Sequence, residues 1–122
     1  RLAGRYLELL SGLSGLGFQR EADGCRSNYQ TFGVLLPDRL GGAERDGVVK
    51  ALHEQGVQAG RLSYAVHRLK SLRRAALQAR EAGRWLRASE AIADRGLALP
   101  LYVNMTRAEQ VQVARALIRV LS

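Results

Sequence analysis

Ser89–Leu121, SEAIADRGLALPLYVNMTRAEQVQVARALIRVL, decides the reading of this chain. It opens with a short helix candidate, Ser89–Asp94, and meets a breaker at Gly96. The apolar run Leu97–Tyr102, interrupted by Pro100, supplies a strand over Leu97–Leu101. Thr106 then stands three residues before Glu109. Its hydroxyl can accept from the Glu109 N–H while the carboxylate reaches back, a capping-box start. Behind that start, Val111, Ala114, Leu117, Ile118 and Leu121 recur at helical spacing and give the last helix one apolar face.

Working back toward the start, the same criteria give helix, strand, helix, strand. RLAGRYLELLSGL places Leu2, Tyr6, Leu9, Leu10 and Leu13 on one helical face without a preceding cap. That pattern is expected of a helix entered part-way along, hence of a fragment of a longer protein. Ser11–Gly17 is turn-rich, and Phe18–Ser27 is polar and irregular. Asn28–Leu36 alternates and is rich in β-branched and aromatic residues up to the Pro37–Asp38 stop, which predicts a strand. Glu44–Gln55 is a helix with Val48, Val49 and Leu52 inside, an Asp46–Lys50 pair outside and Gly56 as its stop. Val57–Leu62 reads as a short strand. From Leu69 to Leu86 the pattern is helical, with Leu69, Leu72, Ala76 and Ala79 inward and a break at Gly83.

Three short strands among helices predict an α+β two-layer sandwich with a small, mainly antiparallel three-stranded sheet. The 122 residues suffice for one domain with a core of its own. No apolar run approaches the roughly 18 residues of a membrane helix, and no signal-peptide pattern opens the chain. With a single cysteine, Cys25, nothing argues for export, and the expected location is cytoplasmic. The net charge of +8 rests on seventeen arginines and two lysines. Such a balance suits a polyanionic partner, a phosphorylated ligand, or simply an arginine-rich genome. The region densest in cations, Arg61–Arg87, has few aromatics to stack on bases, which weighs against nucleic acid.

By its residues alone the chain shows no enzyme site: no phosphate-cradling glycine loop, no nucleophile elbow and no metal-spaced Cys/His cluster. No catalytic, cofactor-binding or metal residue is assigned. His53 reads as a solvent-facing helix residue and Cys25 as a plain thiol. The segment after the second strand, RLSYAVH, is denser in binding groups. Arg61 could clamp a phosphate, and Tyr64 and His67 could meet a sugar or phosphate; a structural role for His67 stands beside that reading. Neither Lys50, in an amphipathic helix, nor Lys70, in a basic run, suits a lysine that must be desolvated to bear a cofactor.

Four blocks in order resemble one family. RSNYQTFGVLLPD (Arg26–Asp38), HEQGVQA (His53–Ala59), the run ending in His67, and SEAIADRGLALPLYVNMTRAEQ are similar to the C-terminal part of the DegT/DnrJ/StrS-type sugar aminotransferases. These are pyridoxal-phosphate (PLP) enzymes of fold type I that aminate nucleotide-linked keto sugars. The resemblance implies that residues 1–13 end an inter-domain helix and 14–122 form the small C-terminal domain. It implies PLP in the full-length parent and none bound by this fragment, which would be inactive alone because the PLP lysine belongs to the large domain. It also implies packing on that large domain, a homodimer, a nucleotide-sugar substrate contacted near Arg61, Tyr64 and His67, and a role in polysaccharide biosynthesis. The sequence departs from the family after His67, where RLKSLRRAALQAR replaces a proline and an aromatic. The alternative is a stand-alone basic module that binds nucleic acid or an acidic partner through Leu69–Arg87. A further possibility is self-association through a first helix with Leu2, Tyr6 and Leu9 exposed.

Overall fold

The computed structural model describes residues 1–81, 83 and 86–122. In chain order its elements are α1 (Leu2–Leu10), β1 (Gly17–Phe18), β2 (Phe32–Leu35), α2 (Ala43–Glu54) and β3 (Gly60–Arg61). Two single 3₁₀ turns, Val66–Arg68 and Lys70–Leu72, precede α3 (Arg73–Glu81), followed by α4 (Arg87–Arg95), β4 (Gly96–Leu99) and α5 (Arg107–Leu121).

The sheet has the order β1-β2-β4-β3, antiparallel throughout. The α+β sandwich is therefore as expected, with one strand more. Gly17–Phe18 pairs with Leu35 and Val34, although the sequence there reads as a turn and an irregular stretch. Two residues are too few to show an alternation. β4 lies between β2 and β3, so the stretch that organises the sequence also organises the sheet. Gly96 ends α4 as expected, and it is also the first residue of β4, paired with Leu35.

Register assigns the faces. Phe32 lies opposite Leu99, and Val34 opposite Leu97, so these four side chains share one face. All four are buried in a core that also contains Tyr6 and Leu10 of α1, Leu52 of α2, and Val113, Ala114 and Leu117 of α5. The other face carries Gly33, Leu35, Gly96 and Ala98. It is thin because Leu62 lies on it. A Cβ on Gly33 would stand 2.6 Å from Leu62 Cδ2, and one on Gly96 would stand 2.9 Å from Leu62 Cβ and 2.2 Å from the Ile92 carbonyl oxygen. The missing side chains let β3 and the end of α4 close on the sheet.

The helix ends follow the chemistry of their residues. Thr106 Oγ1 accepts from Glu109 N at 3.2 Å, and Glu109 Oε2 accepts from Thr106 N at 2.7 Å, which completes the capping box of α5. At the end of α2, Gly56 has φ +76°; Val57 N donates to Leu52 O and Gly56 N to His53 O, a Schellman stop. The buried face of α5 is Gln110, Val113, Ala114, Ala116 and Leu117, displaced from the expected stripe: Ile118 is exposed. Gln110 carries a polar tie within that face. It donates from Nε2 to Leu2 O and accepts from Arg5 Nη1, both at 2.9 Å, and so locks α1 to α5.

Three expectations are corrected. Tyr6 is not an exposed contact residue: it is fully buried and donates to Pro100 O at 2.8 Å, and its ring centroid lies 4.9 Å from that of Phe32. Burial pushes its phenol well above the usual range. The helical run Leu69–Leu86 is broken into 3₁₀ turns and the nine-residue α3, which buries no side chain; Leu69 and Leu72 are exposed. Positions 82, 84 and 85 of that run lie outside the described residues, and Gly83 has φ +73°. Finally, Lys50 pairs with Glu54 at 4.0 Å, because Asp46 is taken by two arginines.

Candidate functional site

The site candidates arise where the edge strand β3 leaves the sheet. Arg61 lies opposite Leu97, hence on the sheet face that α2 covers, and it leans from the edge toward that helix. There Arg61 Nη2 reaches Asp46 Oδ2 at 2.6 Å. Asp46 also accepts from Arg45 Nε at 2.7 Å. The hydrogen bond from Arg45, with Arg61 adding its charge, holds the Asp46 carboxyl below the ordinary carboxylate range. Arg45 is 2 % exposed and continues inward, donating from Nη1 to Ala93 O at 3.1 Å and to Gly96 O at 3.4 Å. The last turn of α4 has carbonyls without helical partners, and a buried guanidinium caps them. Arg61 is thus oriented by a relay that begins in the core.

Tyr64 is 69 % exposed, with Arg61 Cζ 6.0 Å from its ring centroid, a loose cation–π distance. Three residues on, the first 3₁₀ turn carries His67 in another direction. Its Nε2 lies 3.2 Å from Glu90 Oε1 on α4. The carboxylate can only accept, so Nε2 carries the proton. Nδ1 is buried and, among the described residues, has no hydrogen-bond partner. Beside it Arg68 forks onto Asp94, one limb at 2.9 Å, which raises the arginine and lowers the aspartate from their ordinary pKa values. Glu90 and Asp94, one helical turn apart, fasten the 3₁₀ turn to α4. A cavity of about 400 Å³ opens beside this contact, with His67 and Glu90 on its wall.

Of the sequence-predicted site residues, Arg61 and Tyr64 come together. His67 is held separately by Glu90 and faces the cavity. Sequence reasoning missed Arg45, Glu90 and Asp94. The spacing of Glu90 and Asp94 marked two acids on one helix face, but nothing in the sequence named their arginine and histidine partners. His53 is exposed on α2 as expected, yet its Nε2 meets Ala59 O at 2.6 Å across the turn. Cys25 is exposed and unpaired. Among the described residues no group of three His, Cys, Asp or Glu side chains is placed to hold a metal, and no helix is long and apolar enough to cross a membrane. The lysines do not fit a cofactor-bearing role: Lys50 is 81 % exposed and ion-paired, and Lys70 is exposed among cations.

The arrangement is that of a small α+β unit with a four-stranded antiparallel sheet. The aminotransferase TlmJ from Streptoalloteichus hindustanus superposes with a TM-score of 0.76 at 23% identity, over 98% of this chain and 30% of that one. Helicobacter pylori PseC, an aminotransferase involved in pseudoaminic acid biosynthesis, gives 0.79 at 12% identity, over 98% and 31%. The sugar aminotransferase CalS13 from Micromonospora echinospora gives 0.70 at 17%, over 94% and 28%. At these identities the likeness is one of fold. The sequence model of the DegT/DnrJ/EryC1/StrS aminotransferase family matches residues 1–118, and the chain belongs to that family. It spans about 30% of the length of the solved structures it matches. A comparison with curated proteins gives no match.

Proposed function

We propose that this chain is the small C-terminal domain of a longer PLP-dependent aminotransferase, a cytoplasmic homodimer that aminates a nucleotide-linked keto sugar for polysaccharide biosynthesis. The observation that carries the reading is the family match over residues 1–118 of a chain that covers under a third of its structural neighbours. Residues 1–13, including α1, then end the inter-domain helix, and 14–122 pack on the large domain. In such enzymes PLP supplies the electron sink for moving the amino group. With Lys50 and Lys70 both exposed, the lysine that holds it lies outside this chain, and the chain alone does not transaminate.

The part left to these residues is positioning. Arg61, steadied by Asp46, presents the exposed remainder of its fork toward a phosphate. Tyr64 adds an exposed ring and hydroxyl for the sugar or base. His67, with Nε2 committed to Glu90, offers the edge of its ring at the cavity wall. The test is steady-state kinetics of the full-length gene product with a nucleotide-linked keto sugar and an amino donor. Arg61→Ala and His67→Ala should raise KM for the sugar about tenfold each while changing kcat little, the signature of lost ground-state binding. Unchanged KM in both variants would remove these residues from the substrate site.

A further inference from the structure

The chain contains two Asp-Gly pairs, Asp23–Gly24 and Asp46–Gly47, and the fold treats them oppositely. Asp23–Gly24 lies in the long loop between β1 and β2, where every residue from Gln19 to Asn28 is exposed. Cys25 N donates to Ala22 O at 2.9 Å, so the pair forms the two corners of a β-turn. Gly24 has φ +72° and Asp23 a negative φ, the type II pattern that asks for glycine at its third position. The peptide between the corners takes no part in the turn's own hydrogen bond. Among the described residues Gly24 N finds no acceptor, and the Asp23 carboxyl has neither a hydrogen bond nor an ion pair. A Cβ built on Gly24 would meet nothing within 4 Å, so the space around that nitrogen is open.

Asp46–Gly47 is closed to the same chemistry. It lies inside α2, where the Gly47 N–H belongs to the helical ladder. The Asp46 carboxylate accepts from Arg45 Nε at 2.7 Å and from Arg61 Nη2 at 2.6 Å, which keeps it ionised and fixed. An ionised carboxylate repels a nucleophile, and an N–H committed to a helix cannot turn toward it.

We infer that Asp23–Gly24 is a modification site: it converts spontaneously to isoaspartate, and the product is open to a methyltransferase that esterifies isoaspartate. Gly24 N attacks Cγ of the protonated Asp23 carboxyl. The N–Cγ bond closes a succinimide, and the amide proton leaves with the carboxyl hydroxyl as one water. Water then adds to a ring carbonyl. If the bond from Gly24 N to the Asp23 main-chain carbonyl carbon breaks, the chain runs on through Cγ and a free α-carboxylate remains. No electrons are exchanged, and the mass is that of the starting chain. The extra methylene lengthens the turn in a loop with no buried side chain from Gln19 to Asn28, and Glu21 Oε1 accepts from Ser27 N at 2.9 Å across its base. The fold therefore survives the change and the product accumulates. The inference does not depend on the aminotransferase reading.

The experiment ages the purified gene product for days at neutral pH and physiological temperature, with an unaged sample as reference. Trypsin releases each pair on its own peptide, Glu21–Arg26 and Asp46–Lys50. Ageing should split Glu21–Arg26 into two species of equal mass. The new one should take label from S-adenosylmethionine and an isoaspartyl methyltransferase, while Asp46–Lys50 stays single. Ageing in urea should convert both pairs, because unfolding frees Gly47 N and Asp46 from α2. Asp23→Glu, at an exposed and unpaired position, should fold normally and lose both the split and the label, since its longer side chain must close a larger ring. No second Glu21–Arg26 species after ageing, label at that peptide persisting in Asp23→Glu, or equal conversion of the two pairs in the folded protein would each overturn the inference.

Discussion

Replacing Arg45 by methionine isolates the relay from the core to the candidate site. The substitution keeps most of the apolar stem and removes the guanidinium. Three contacts go: Nε to Asp46 at 2.7 Å, and Nη1 to the carbonyls of Ala93 at 3.1 Å and Gly96 at 3.4 Å. The three differ in weight. The Asp46 pair is half in water and contributes little by itself. Gly96 O keeps Leu62 N as a donor at 3.1 Å. Ala93 O, in the half-buried last turn of α4, loses its cap and faces an apolar side chain instead. One lost charge-assisted bond and one stranded carbonyl give about 2–3 kcal/mol. Replacing a buried ion by a hydrophobe can be neutral when both partners leave, but here the acceptor stays. For 122 residues at about 2.1 cal/mol/K each, the expected fall in Tm is roughly 8–12 °C. The assay is differential scanning calorimetry paired with NMR titration of Asp46. Its carboxyl should move up toward the ordinary range, since the Arg45 hydrogen bond is the largest cause of its depression. A fall under about 2 °C together with an unchanged Asp46 titration would refute the relay.

Other substitutions probe other links. Thr106→Ala removes the α5 cap and should cost about 1 kcal/mol in chemical denaturation, with the Glu109 carboxyl rising as its Thr106 partners weaken. Gly96→Ala puts a methyl 2.2 Å from Ile92 O, so β4 and α4 must separate; a loss of about 3 kcal/mol is expected, and Gly60→Ala, with nothing within 4 Å, serves as its mild control. Asp46, Asp94 and Glu109 all titrate below their ordinary values when folded. Their stabilisation is therefore fully present above the unfolded carboxylate range near pH 4 and is lost as pH falls through the folded values. Asp94→Asn should flatten that acid limb, measured as the pH dependence of Tm below about pH 5.

The sequence carried the parts of this fold that rest on local rules. The capping box at Thr106, the Schellman stop at Gly56 and a strand beginning next to Leu97 follow from residue types at fixed offsets, and each stands where the pattern put it. What local rules could not supply is long-range pairing. β1 is defined by its partner β2 and not by its own two residues. The expected inward face of Leu69 and Leu72 failed because periodicity shows an apolar stripe without showing whether anything lies against it. Tyr6 looked available for contact because Pro100 and Met105, which meet its hydroxyl, lie 94 and 99 positions away in the chain. At the candidate site, the binding types Arg61, Tyr64 and His67 were legible, but their orienting partners were not. Asp46 seemed committed to Lys50 by spacing, while the fold gave it to Arg45 and Arg61.

The central claim is that this chain is one domain of a larger cofactor enzyme. The most direct test is the intact mass and visible spectrum of the gene product isolated from its native host. The account predicts a polypeptide about three times as long, showing the visible absorbance of lysine-bound PLP, which changes on adding an amino donor. A native product of 122 residues without that chromophore would contradict it.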